Sequence, residues 1–98
     1  MIKVITGYKV RKGEDIRPIL LKLGSHALQY PGFIGAENLL SEKDSSIIAM
    51  IGTWEKAEDW RVWEKSTIGQ DLLRQAETSL AEEPRVTIYR VMPPRIWG

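Results

Sequence analysis

The stretch "TWEKAEDWRVWEKS", residues 53 to 66, holds three of the chain's four tryptophans, Trp54, Trp60 and Trp63. Indole rings this close in sequence form either a wall for a flat ligand or the centre of a core. Trp60 and Trp63 stand at i and i+3, so on a helix they share one face. Other groups able to do chemistry are few. The lone histidine, His26, either accepts a proton near neutral pH or sits as a satisfied residue at the edge of a helix stripe. Tyr8 and Tyr89 offer hydroxyls that serve equally well as structural groups on strands, and Asn38 offers an amide that suits the surface of a hairpin. With a single histidine and no cysteine, the chain has no metal site of ordinary ligand spacing and no thiolate nucleophile. Ser25 beside His26 is no dyad, because adjacent helical residues diverge by about 100°. The glycines of "GFIG" lack the lysine and the glycine count of a phosphate loop.

These residues depend on the elements that carry them. "IKVITGYKV" sets Ile2, Val4, Thr6, Tyr8 and Val10 on one face and Lys3, Ile5, Gly7 and Lys9 on the other, the alternation of a strand. A helix is expected over 16–29, with Asp15 as its N-cap and Pro18 in its first turn, where a missing N–H costs nothing. Ile16, Ile19, Leu20, Leu23, Ala27 and Tyr30 make its apolar stripe, and Pro31-Gly32 ends it. Strands over 33–40 and 47–54 read as a hairpin across "SEKDSS". Residues 56–81 form a second helical region, broken near Ser66, which can cap the continuation. "PRVTIYRV" is a last strand, with Val86, Ile88 and Arg90 facing one way and Arg85, Thr87, Tyr89 and Val91 the other. The order is βαββαβ, an α+β, ferredoxin-like pattern with a four-stranded antiparallel sheet. Residues 1–92 form one domain and 93–98 a tail, in which Trp97 has no assigned place.

The third strand, "IIAMIGTW", has no polar face, so both sides of the sheet need cover. Only one side can receive the helices, and a homodimer supplies the other most economically. Fourteen basic against thirteen acidic residues, interspersed along the chain, leave no basic stripe for nucleic acid. No apolar run approaches a membrane span, and Met1-Ile2-Lys3 leads directly into a strand pattern with no export signal. The absence of cysteine fits a reducing cytoplasm. A chain of this size and composition is expected to be a single soluble, cytoplasmic domain.

With its elements in this order the chain resembles the antibiotic biosynthesis monooxygenase (ABM) family of small dimeric ferredoxin-like α/β barrels. The resemblance is carried by "YKVRKGED", "YPGFIGAENL", "IIAMIGTWEKAEDWRVWEKS" and "PRVTIYRV". It implies a homodimer whose sheet faces close a barrel and a pocket between sheet and helices. It implies cofactor-independent monooxygenase chemistry, in which a small aromatic or quinol-like substrate, once deprotonated, reacts with O2 directly. His26 and Trp63 are the implied catalytic residues. Gly7, Tyr8, Asn38, Trp63, Leu73 and Tyr89 are the implied pocket, with Gly7 or Tyr8 inward according to which face of the first strand looks at the helices. The heme-degrading branch of the family uses a strand-one asparagine, a tryptophan and an iron-ligating histidine. The matching positions here are Gly7, Trp63 and Leu73, and two of the three lack the chemistry, which disfavours heme degradation. The paucity of polar groups in the implied pocket keeps a second reading open, a non-catalytic homodimeric module that binds a small ligand or simply assembles.

Overall fold

A computed structural model describes residues 1–92; the tail from 93 onward, with Trp97, lies outside the described residues. The elements are β1 (Ile2–Lys9), α1 (Arg17–Ala27), β2 (Phe33–Leu40), β3 (Ile47–Trp54), α2 (Ala57–Glu64), α3 (Thr67–Glu77) and β4 (Arg85–Arg90). The four strands form one antiparallel sheet in the order β2-β3-β1-β4, with the helices packed on one side. The fold is the α+β, ferredoxin-like arrangement expected from the sequence, with the second helical region divided into two helices.

Register decides which residues meet the helices. Ile2, Val4, Thr6 and Tyr8 of β1 pair with Trp54, Gly52, Met50 and Ile48 of β3, and directly paired residues point to the same side. That side is the core: Ile2, Val4, Tyr8, Ile48 and Trp54 are buried against Ile16, Leu20, Leu23 and Ala27 of the first helical segment, with Trp63 of α2 and Leu72 of α3. The other side carries Lys3, Ile5, Gly7 and Lys9. Lys3 lays its amine on the Thr53 hydroxyl there at 2.8 Å. The helices cover the central strands β1 and β3 and meet the outer strand β2 at Phe33, while the rest of β2 and all of β4 stay largely exposed. Val86 and Ile88 of β4 point to the helix side yet remain exposed.

Helix starts follow local chemistry, with one departure from expectation. Asp15 does not cap α1. Ile16 occupies that position without a side-chain cap, and the Asp15 carboxylate instead accepts from the Arg17 backbone N–H at 3.0 Å and from its guanidinium at 2.9 Å. Pro18 falls in the first turn, where its missing donor is harmless. Gly32 stops the connection to β2 at φ 87°, a conformation glycine adopts without strain. The Asp59 side chain fills the space where a side chain at 32 would begin. No helix among the described residues is long and apolar enough to cross a membrane.

The break between α2 and α3 rests on Ser66. Its hydroxyl donates to the Trp63 carbonyl at 2.6 Å and accepts from the Gly69 N–H at 3.1 Å, closing one helix and capping the next. Gly69 has no room for more: a Cβ there would stand 2.9 Å from both the Ser66 Oγ and the Trp63 carbonyl oxygen. Ser66→Ala is expected to lower stability by about 1 kcal/mol, read as a lower urea midpoint at unchanged slope, with Ser66→Asp recovering most of the loss. Equal midpoints for the alanine variant and the parent would remove Ser66 from this role.

Candidate functional site

Between the sheet and the helices lies a cavity of about 270 Å³. Its floor comes from alternate sheet residues, Val4, Thr6 and Tyr8 of β1 with Met50, Gly52 and Trp54 of β3, all on the helix side by register. Phe33 and Val86 close its flanks from the outer strands. Leu23 and Ala27 of α1, Trp60, Trp63 and Glu64 of α2, and Gly69, Gln70, Leu73 and Glu77 of α3 form the roof and far wall. Glu83 and Pro84, just ahead of β4, complete the rim.

All three tryptophans of residues 53 to 66 line this space, so the cluster is core and wall together. Trp54 is 2% exposed and meets the Phe33 ring edge-to-face, with centroids 5.0 Å apart. Trp63 meets Tyr30 in the same manner, also at 5.0 Å. Such pairs add to the burial of each ring and fix its tilt. Trp60 is half-buried at the cavity's edge. Gly52 has a specific task here: a Cβ at this position would stand 3.3 Å from the Trp54 Nε1, so its absence lets the indole lie across the floor.

The polar groups are few. Tyr8 is buried, and its phenol is pushed up to about 12 by loss of solvation, with a hydrogen bond to the Thr6 side chain acting the other way. At neutral pH it is a neutral donor and not a base. The Gln70 amide is committed to the Glu64 carbonyl oxygen at 2.7 Å. Among the described residues the only formal charges on the lining are Glu64, Glu77 and Glu83.

The residues expected at the site divide accordingly. Tyr8, Trp63 and Leu73 come together on the lining. Gly7 and Tyr89 do not, because the β1 and β4 register points both to the opposite side of the sheet. Asn38 lies exposed on the edge strand β2, beyond the reach of the helices. His26 is half-buried in the last turn of α1 and is not a lining residue; the lining residues of that helix are Leu23 and Ala27. Leu73, at the position matching the heme ligand, presents an apolar side chain, and neither histidine nor cysteine lines the cavity. Among the described residues no three metal-ligating side chains converge. Trp54 and Trp60 belong to the core and to the lining alike, and the three rim glutamates are not among the residues expected from the sequence. Gln70, Leu73 and Glu77, spaced three and four apart on α3, were the available signal for one wall of a site.

A family model described as antibiotic biosynthesis monooxygenase matches residues 1–75. The chain belongs to that family. Solved structures agree on the fold. A putative antibiotic biosynthesis monooxygenase from Nitrosomonas europaea superposes with a TM-score of 0.86 at 15% identity, covering 95% of this chain and 91% of its own. SnoaB, a cofactor-independent oxygenase from Streptomyces nogalater, gives 0.83 at 9% identity, with 95% and 94% covered. A conserved protein from Methanosarcina mazei Go1 gives 0.83 at 19% identity, with 91% and 90% covered. A comparison with curated proteins finds no significant match. At such identities the neighbours establish the fold of this ABM chain and leave its chemistry to be argued from the cavity.

Burial of Tyr8 has a measurable consequence. Its unfolded phenol ionises near 10.0 and its folded phenol near 12, so the folded state favours the neutral form. Its contribution is fully present below pH 10 and is lost as pH rises toward 12. The parent protein should lose on the order of 2 kcal/mol more stability across that window than Tyr8→Phe does. Parallel stability curves in denaturant titrations at a series of alkaline pH values would contradict the burial of this phenol.

Proposed function

We propose that this ABM domain is a cofactor-independent monooxygenase-type enzyme whose cavity receives a small, flat aromatic or quinol-like substrate. The observation that carries this reading is the cavity itself, walled by Trp54, Trp60 and Trp63 with Phe33, Met50 and Leu73, and furnished at its floor only with hydroxyl and indole donors. Membership of the family and the fold shared with a cofactor-independent oxygenase support it.

The chemistry asks little of the protein. An activated CH2 beside a phenolic ring loses a proton, which passes to the rim carboxylates and on to solvent. The resulting carbanion supplies electrons to O2, and the new C–O bond gives a peroxide. Loss of water then leaves a carbonyl, so that CH2 and O2 become C=O and H2O with no external reductant. In this scheme neutral Tyr8 and the indole N–H groups donate hydrogen bonds to the developing oxyanion of the ring, while the apolar walls keep water from the carbanion. Trp63 positions the ring. His26, off the lining, has no direct contact with substrate in this scheme.

Assembly belongs to the same reading. The sheet face away from the helices carries Ile5, Ala49 and Ile51 half-buried, with Ile47, Leu39 and Tyr89 exposed. A second copy laid on this face would bury them and close the barrel, giving a homodimer. Light scattering at micromolar concentration should then return twice the chain mass, and a clean monomer would reject this arrangement.

The exclusion of His26 from the lining favours a second reading, in which the dimer binds a small hydrophobic molecule without turning it over. Oxygen uptake separates the two. With a panel of anthrones and quinols, at least one substrate should drive enzyme-dependent O2 consumption. Leu73→Trp, which fills the cavity, should reduce kcat/KM by roughly 10-fold or more while leaving the fold intact. Uptake that never exceeds the Leu73→Trp background across the panel, with ligand binding retained, would establish the binding module instead.

A further inference from the structure

The charge of the cavity carries the reading beyond its size and shape. Glu64 ends α2, Glu77 ends α3 and Glu83 precedes β4, and all three line the same space. Among the described residues no lysine, arginine or histidine lines it. The ion pairs among the described residues join Lys9 to Asp44, Arg17 to Asp15 and Arg74 to Asp71, so none neutralises the rim. Nor do the glutamates converge as a metal-ligating group. All three are exposed residues drawn from three separate segments, a distribution suited to an organic cation rather than a bare ion.

An independent observation at the other end of the cavity also calls for a ligand. Trp54 is 2% exposed, and its Nε1 lies on the floor over Gly52. Among the described residues that N–H makes no hydrogen bond, and no fully occluded side-chain nitrogen or oxygen lacks a partner. The indole N–H therefore opens into the cavity. A ligand oxygen in the cavity can accept from this donor, which no protein group among the described residues engages.

We propose that the ligand of this cavity is a phenol or catechol bearing a protonated amine: the ring oxygen accepts from the Trp54 N–H, and the ammonium sits at the mouth among Glu64, Glu77 and Glu83. The proposal rests on the reading of this cavity as the substrate site. Trp60 and Trp63 also line the cavity, and indole rings attract cations. A carboxylate at the same place would add a fourth negative charge to the rim, with no positive group among the described lining residues to meet it.

The test uses three catechols that differ only in their side-chain end, titrated calorimetrically under nitrogen at neutral pH and low salt: dopamine, hydroxytyrosol and dihydroxyphenylacetate. Dopamine should bind about 5- to 10-fold more tightly than neutral hydroxytyrosol, and dihydroxyphenylacetate more weakly than either, with the spread shrinking as salt is raised. The triple variant Glu64→Gln, Glu77→Gln, Glu83→Gln should bring all three affinities together and leave hydroxytyrosol within about twofold of the parent. A flat or reversed order in the parent, with hydroxytyrosol bound, overturns the charge assignment and leaves the substrate cavity standing. Persistence of the order in the triple variant overturns it as well. Failure of all three to bind removes the cavity as a site for such rings, and this inference with it.

Discussion

One hydroxyl group governs the helix side of this protein. Ser66 ends α2 by donating to the Trp63 carbonyl and begins α3 by accepting from the Gly69 N–H, and only a glycine at 69 allows the two to approach so closely. A single uninterrupted helix over the same residues would lie straight along the sheet and carry Trp63 and Leu73 in fixed rotation relative to each other. The break frees the second helix to turn its Gln70, Leu73 and Glu77 side toward the same space that Trp60 and Trp63 already face. The cavity is the volume left between two helices that meet the sheet on separate terms.

The floor obeys a comparable economy. Val4, Thr6 and Tyr8 alternate with residues that face the other way, and their β3 partners are Gly52, Met50 and Ile48. Because Gly52 contributes no side chain, the Trp54 indole two residues on can lie across it. A larger residue at 52 would push the ring toward the helices and reduce the space. The fold thus keeps its cavity by omission at two glycines, one under the floor ring and one at the helix break, while large aromatic groups supply the walls.

Much of the fold could be read from residue order. β2 and β3 fall at the residues their patterns indicated, and the break at Ser66 follows from a capping residue placed inside a helical region. The site was less accessible, for identifiable reasons. Gly7 and Tyr8 are neighbours on one strand, and the choice between them depends on which face the helices cover, a long-range fact that a strand with apolar residues on both faces does not encode. Asn38 sits in the exposed part of the outer strand β2, and Tyr89 faces the side of the sheet away from the helices. His26 lies on the correct side of the stripe to be half-buried, yet α1 meets the cavity through Leu23 and Ala27. The rim glutamates read in sequence as ordinary solvated helix and loop residues, since Glu64, Glu77 and Glu83 are brought together only by the packing of three separate segments.

The irregularity in β2 bears on how copies of the chain can meet. β2 and β4 are the outer strands, and an outer strand with a straight run of free backbone groups invites another strand to extend the sheet. The pairing of β2 with β3 shifts between Phe33 and Gly35, which places an extra residue, Ile34, in the strand and bends its outer edge. Glu37 and Asn38 follow along the remaining straight portion. Both devices make lateral growth of the sheet unfavourable, whereas the broad face bearing Ile5, Ala49 and Ile51 has no such guard. On its β2 side the sheet is thereby guarded against edge-to-edge pairing with another strand.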